Sequence, residues 1–362
     1  MATALLTGFP GFLGSALLPR VLAASPETTA TCLVQPRWAA LAARRVEELV
    51  ATDPALDGRV RLVEGDITRP HLGLEDPAEV AGRTGEIWHL AAVFDITAPE
   101  AVCLPVNLDG TRHVLDLAER CPELARVHYI STCYVGGRHP GMLAEDDLDV
   151  GQSFNNAYEE SKFRAEAAVR ERMDDGLPAT VYRPALMVGD SRTGATQKYD
   201  GLYLVVRLLL RQPRVAVLPV VGDPARTCLN VVPRDFVVAA IAHLSGLERS
   251  AGKVYQLADP DPLPGDRLLD ELARATARRL IKVPLPLWAA KGALARVPGV
   301  ERLLRIPPAA IDYFVHRTRY DTTNARADLA GSGIAPPPFP SYVDALVDFV
   351  RAHPEVGTGP MT

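Results

Sequence analysis

Short apolar runs alternate with longer amphipathic stretches through the first half of the chain. Ala4–Leu6, Thr31–Gln35, Arg59–Glu64, Glu86–Leu90, Arg126–Thr132 and Ala179–Arg183 read as strands, the third through its alternation of apolar and charged positions. Between them, Phe12–Ala24, Trp38–Val50, Glu100–Cys121 and Ala157–Met173 read as helices. Strands of about five residues alternating with helices of ten or more predict an α/β fold, a doubly wound parallel sheet covered on both faces.

Past residue 185 the rhythm loosens. Gly189–Gly201 is polar and glycine-bearing, a loop expected at the site, and Leu202–Leu210 is apolar enough for a helix or a strand. Pro233–Leu247 reads as a helix and Lys253–Ala258 as a strand. Proline-interrupted helices are expected at Leu285–Arg296 and Pro307–His316, a last helix at Tyr342–Ala352, and a frayed end from Gly357. No repeat or flexible linker separates the halves. The expected division is a nucleotide-binding domain over 1–188 and a smaller, interleaved substrate lobe over 189–362, some of whose segments return to the first sheet.

Composition adds exclusions. With 48% hydrophobic and 23% charged residues, 362 positions can bury a large core. A net charge of −5 without basic runs argues against nucleic-acid binding. Cys32, Cys103, Cys121, Cys133 and Cys228 lie far apart, which argues against a disulfide framework or a metal site and fits a reducing cytoplasm. The amino-terminal apolar run lacks the charged flank of a secretory leader, and no stretch of about 18 apolar residues predicts a membrane span.

Two patterns carry chemistry. After Ala4–Leu6 come Thr7 and glycines at 8, 11 and 14, with helical spacing from Phe12. A strand turning into a helix whose amino end is bare of side chains suits a pyrophosphate, with Gly8 for the turn, Gly11 for close ligand approach and Gly14 for packing. The second pattern is Tyr158-Glu159-Glu160-Ser161-Lys162, set 26 residues after Thr132. On a helix, Tyr158 and Lys162 share a face, and the ammonium is expected to lower the phenol toward the working range. A hydroxyl from Ser131-Thr132 at the end of the fifth strand can bind the same carbonyl oxygen while a cofactor moves a hydride.

With these residues the chain resembles the extended short-chain dehydrogenase/reductase family. It carries TGFPGFLG at 7–14, GDIT at 65–68, HLAA at 89–92, NLDGT at 107–111, YISTCYV at 129–135, YEESK at 158–162 and YRPALMVGDS at 182–191. The resemblance implies a Rossmann-type domain with catalytic Tyr158, Lys162 and Thr132, Ser131 being the alternative hydroxyl. It implies a dinucleotide cradled by Thr7, Gly8, Gly11, Phe12, Leu13 and Gly14, with Asp66 and Ile67 flanking the adenine. Ala91 and Ala92 would line the cofactor groove, Asn107 would join the cofactor-binding set, Lys162 would hold the nicotinamide ribose, and Pro184 would touch its ring. A homodimer through helices around 107–121 and 158–173 is implied as well. TGFPGFLG, STCYV and VGDSRTG most resemble the branch of fatty acyl reductases and thioester reductase domains, implying a lipid-like substrate, CoA- or carrier-bound, or an aldehyde or ketone.

An NAD site in this fold needs a carboxylate after the second strand. Here Gln35-Pro36-Arg37 stands there, with Arg44 and Arg45 following and no acid near in sequence, so NADP(H) is expected through Gln35, Arg37 and Arg44. Arg45 is read as a solvated helix position. His89 reads as a structural strand-end residue, Cys133 as core, Glu145–Asp149 as a solvated acidic loop, and Asn156 as a cap or an orienting group. Arg192, Lys198 and Tyr199 fall in the expected substrate loop, where either cation could meet a phosphate of CoA or of pantetheine. Leu202–Leu210, Val215–Val221 and Trp288–Ile306 either wall an apolar tunnel or are ordinary core. Two other functions share this scaffold. A nucleotide-sugar epimerase or dehydratase would keep NAD, and a dehydratase would carry an Asp-Glu pair where Cys133-Tyr134 stands. A cofactor-sensing regulator would often lose Tyr158 or Lys162, and both are present.

Overall fold

The computed structural model describes residues 3–286, 312–313 and 315–357. The six apolar runs form β1 (Thr3–Thr7), β2 (Thr29–Val34), β3 (Val60–Glu64), β4 (Thr84–His89), β5 (Arg126–Ile130) and, past a short β6 (Met142–Leu143), β7 (Ala179–Pro184). Then come β8 (Leu186–Val188), β9 (Val215–Val221), β10 (Val231–Pro233), β11 (Val254–Leu257), β12 (Arg279–Leu285) and β13 (Arg319–Tyr320). Seven strands pair in parallel in the order β11-β7-β5-β4-β1-β2-β3. The chain reverses its direction of travel across the sheet between β1 and β4, which opens a crevice at the carboxyl ends of the strands.

Both faces of this sheet are buried, which is why its strands read as unbroken apolar runs. Leu6 packs with Leu17, Leu18 and Val21 of α1 (Phe12–Ala23), Ala42 of α2 (Ala39–Thr52) and Ile241 further on. Leu5 faces the opposite side, with Val80 of α3 (Pro77–Arg83) and with Ile87 and Val127. The expected helix over 100–121 is broken into α4 (Glu100–Cys103), a π-helical turn over Leu104–Asp109 and α5 (Gly110–Ala118). Pro105 lies in the break; it lacks the N–H an α-helix needs and crowds the preceding turn. α6 (Ala157–Asp174) covers the same face through Ala165 and Val169.

Beyond β8, the chain builds a second core. Leu202–Leu210, ambiguous by pattern, is a helix, α7, and packs with α9 (Gly265–Ala275) and the helix Val343–Ala352 through Leu209, Leu272, Leu346 and Val347. Between them α8 (Arg234–Ser245) leads back to the main sheet, packing on α1, and β11 joins the sheet itself. Val215–Val221 is only half a wall: as β9, paired with β12, it alternates, leaving Val215 and Val217 exposed. The readings at 287–311, 314 and 358–362, including most of Leu285–Arg296 and Pro307–His316 and all of Trp288–Ile306, lie outside the described residues. No helix among the described residues is long and apolar enough to cross a membrane.

Candidate active site

The ends of β5 and β7 and the first turns of α6 converge on Tyr158. Asn156 caps α6, its carboxamide oxygen accepting the Glu159 N–H at 3.0 Å, while its Nδ2 donates to the Tyr313 hydroxyl at 2.9 Å. The fixed helix start sets residues 158, 162 and 166 as a buried stripe facing the strand ends. β5 stops at Ile130, so Ser131 and Thr132 sit in the turn beyond it. The Thr132 hydroxyl accepts the Tyr134 N–H at 3.2 Å, reaches the Pro184 carbonyl at 3.5 Å and lies near enough to the Tyr158 phenol to favour its ionised form. Ser131 turns the other way and donates to Glu166 at 2.6 Å.

Burial dominates the electrostatics. It pushes the Tyr158 phenol above its ordinary range, opposed by the Thr132 hydroxyl and reinforced by Glu159, Cys103 and Asp200. The expected lowering by Lys162 is absent: that ammonium donates to the Ile130 carbonyl at 2.8 Å, stands 4.4 Å from the Tyr129 ring centre, and is itself pulled down by burial to about 7. A neutral phenol is the form that can give a proton to a carbonyl oxygen. Behind the stripe, Glu166 meets Arg183 at 2.7 Å and Arg170 at 3.0 Å. Burial alone would raise this carboxyl, but Arg183, Arg170 and Ser131 together hold it below the usual range.

The glycine turn is tighter than its motif required. Gly8 has φ +87°, and a Cβ there would lie 2.8 Å from the Ala91 nitrogen. A Cβ at Gly11 or Gly14 would come within 2.7 or 2.6 Å of the Gly8 carbonyl, so both glycines are needed for the turn's own closure. Gly11, the N-cap of α1, offers no side-chain cap, and no acid occupies the first turn, which leaves the Phe12 and Leu13 end of the helix open to an anion. Phe12 lies under the Arg234 guanidinium, 4.6 Å from its ring centre.

Several residues assigned to the cofactor are otherwise engaged. Thr7 Oγ1 bonds His89 Nδ1 at 2.8 Å and accepts the N–H groups of Leu90 and Ala91, both at 3.2 Å. Asn107 accepts the Val93 N–H at 2.8 Å and donates to Ser161 at 2.9 Å, bracing the loop after β4 against α6. Ile67 is buried against Gly110. Ala92 is exposed, Ala91 and Leu13 are half-buried, and Pro184 is buried at the end of β7. An acid does stand near the end of β2: Asp66, from beyond β3, lies near Gln35 and takes hydrogen bonds from the Thr68 N–H (2.9 Å) and hydroxyl (2.8 Å). Those bonds hold it below its ordinary range despite some burial. Arg37 donates to Gln35 at 2.9 Å and lies over Trp38; Arg44 is exposed, and Arg45 pairs with Glu48 at 2.6 Å.

Elsewhere the acidic loop is not wholly solvated. Glu145 is buried and accepts the backbone N–H groups of Gln256 (2.8 Å), Ala325 (3.2 Å) and Asn324; burial pushes it up to about 7 against these bonds. Tyr199 points away from the crevice, donating to the His353 carbonyl at 2.8 Å, and Lys198 is paired with Asp200 at 3.0 Å rather than free for a phosphate. Arg192 is exposed. Cys133 is buried, its thiol pushed up by burial and donating to the Arg183 carbonyl at 3.0 Å. Three participants were missed by sequence. Glu166 continues the 158–162 stripe by one turn and could have been found; Arg183 was named only for its place in the chain. Phe94 carries no motif, yet its ring stands edge-on to Tyr158 at 5.1 Å between centres.

Comparison with known proteins places this geometry. The profile of the male sterility protein family matches residues 6–241. A glycine betaine reductase of Emericella nidulans is 31% identical over 75% of the chain, and an aldehyde reductase of Aspergillus flavus is 30% identical over 90%. The chain spans 22% and 33% of their lengths. Among solved structures, the terminal R domain of the myxalamid PKS-NRPS pathway superposes with TM-score 0.81 at 28% identity, covering 97% of this chain and 91% of that one. A UDP-glucuronic acid 4-epimerase of Bacillus cereus, with NAD, shares the fold at TM-score 0.67 and 17% identity, over 98% of each chain.

Proposed function

The chain belongs to the male sterility protein family, within the extended short-chain dehydrogenases/reductases, and is an oxidoreductase; on that premise we propose an NADPH-dependent reductase of a lipid-like acyl thioester, aldehyde or ketone. The observation that carries this reading is the buried Tyr158 phenol beside the buried Thr132 hydroxyl, with Lys162 one turn further along α6. The self-closing glycine turn and the uncapped start of α1 fit a pyrophosphate, and Arg37 against Gln35 fits a 2′-phosphate in place of ribose hydroxyls. A bound nicotinamide dinucleotide supplies the hydride. Tyr158 gives its proton to the carbonyl oxygen, Thr132 donates a hydrogen bond to it, and Lys162, which donates to the Ile130 carbonyl, is the residue that would hold the ribose. Ser131 is assigned a supporting role through Glu166.

The thioester part of the reading draws on the reductase domains among its structural neighbours, one of them solved as a thiolation-reductase di-domain. The lipid-like part draws on the exposed Phe94 ring beside Tyr158. The test is NADPH oxidation by pure protein with long-chain acyl-CoAs, aldehydes, β-keto thioesters and nucleotide sugars. Turnover of an acyl thioester or aldehyde is expected. Turnover of nucleotide sugars alone would assign an epimerase or dehydratase, and tight NADPH binding without any turnover would assign a sensor.

A further inference from the structure

The mouth of the Tyr158 site holds an internal cation. The ring of Phe94, 43% exposed in the loop after β4, stands edge-on to Tyr158 and also neighbours Lys198. The Lys198 ammonium stands 5.5 Å from the centre of that ring, donates to the Phe94 carbonyl at 3.4 Å and pairs with Asp200 at 3.0 Å. Both partners are shielded, their side chains 19% and 29% exposed. The Phe94 ring is thereby the shared neighbour of Tyr158 and of the Lys198–Asp200 pair. A carboxylate and an aromatic face converging on one point form a cation site, and attraction there strengthens as water is excluded. Here the chain fills the site itself, one aromatic ring away from the proton donor.

We infer that Lys198 occupies the place a positively charged group next to the substrate carbonyl would take, so that this protein selects substrates uncharged at that position. A substrate ammonium must displace Lys198 from both Asp200 and Phe94 or face it as a like charge; an alkyl group of the same shape meets only the Phe94 ring. The repulsive element is thus built into the loop that precedes α7. The inference rests on the reductase reading above and narrows its substrate class to neutral acyl chains rather than α-aminoacyl ones.

The test compares two isosteric aldehydes, tert-butylacetaldehyde and the trimethylammonium analogue betaine aldehyde, by their kcat/KM ratio with NADPH. The native protein should favour the neutral aldehyde by about tenfold or more, the rate equivalent of a modest charge clash. Lys198→Met, which keeps the stem and removes the charge, should shift the ratio at least about tenfold toward the cation, while Lys198→Arg should leave it near native. Adding Asp200→Asn to Lys198→Met should remove that gain. A ratio unmoved by Lys198→Met, with both aldehydes slowed alike, would make Lys198 a mere latch between two loops and overturn the inference. Where the free aldehydes are not turned over, the same pair is compared as CoA thioesters; reduction of none of the four, with long-chain acyl-CoAs and aldehydes inert as well, would overturn the reductase reading and this inference with it.

Discussion

Thr132 and Ser131 are neighbours with opposite duties, and the difference is measurable. Thr132 lies beside the Tyr158 phenol and favours its ionised form, whereas Ser131 satisfies a buried carboxylate. Thr132→Val should lower kcat/KM by about a hundredfold with little effect on urea stability, because it removes a donor aimed at the reacting oxygen. Ser131→Ala should cost about 1–3 kcal/mol of stability and leave turnover within a few-fold, because it strips one donor from Glu166. Steady-state kinetics and urea unfolding of the two variants check this; reversed effects would exchange the assignments. His89 makes a second residue-scale prediction. Burial, assisted by the Lys162 charge, lowers it from 6.5 to about 3, with Thr7 and Thr111 on its two nitrogens at 2.8 and 2.9 Å. The unfolded chain therefore binds the extra proton between those values, and the neutral-imidazole contribution is lost as pH falls below 6.5. His89→Gln should be less stable than native near neutrality, and the gap should close by roughly 1.5 kcal/mol between about pH 6.5 and 5. A gap constant with pH would contradict the buried neutral histidine.

At the scale of elements, one ionic network fixes how α6 meets the strand ends. Arg183 of β7 holds Glu166 of α6 and donates to the Asp147 carbonyl at 2.7 Å, while Arg170 donates to the Asp146 carbonyl, also at 2.7 Å. The loop after β6, the helix and the strand are thereby locked around Lys162 and Thr132. Arg183→Met should cost about 3–5 kcal/mol, since it strands a buried carboxylate, and adding Glu166→Leu should return more than half of that. Urea midpoints of the single and double variants are the measurement, and additive losses would argue that each residue acts alone. These elements were legible in sequence to different degrees. The central strands were plain because a strand buried on both faces is an unbroken apolar run. The break at Leu104–Asp109 was visible only as Pro105 inside a helical pattern, and a proline signals a break without its type. The inward turn of Glu145 was not legible: in Glu145-Asp146-Asp147 the residue types do not tell which carboxylate meets the Gln256, Asn324 and Ala325 amides, because those donors come from distant parts of the chain.

Across the whole molecule, the crevice where the sheet reverses gathers the glycine turn, the Gln35–Arg37 corner and the Tyr158 pair onto one edge. Their order along the chain was enough to foresee that gathering, since the glycine turn, Gln35–Arg37 and Ser131-Thr132 each follow the carboxyl end of a strand and Tyr158 opens the next long helix, α6. The engaged states of Thr7 and Asn107 were not foreseeable, because a motif lists residue types without their partners. Nor was Phe94, which gains its place only when the loop after β4 folds over α6. The central claim is that this edge passes a hydride from NADPH to a carbonyl carbon while Tyr158 supplies the proton. The direct measurement is mass spectrometry of the product formed from a long-chain aldehyde with NADPH deuterated on the transferring face of the nicotinamide, for native protein and Tyr158→Phe. One deuterium per molecule on the carbinol carbon is predicted for the native protein, with turnover lowered about a thousandfold or more in Tyr158→Phe and NADPH affinity nearly kept. Product without deuterium, or a Tyr158→Phe variant that turns over as fast as the native protein, would contradict the account.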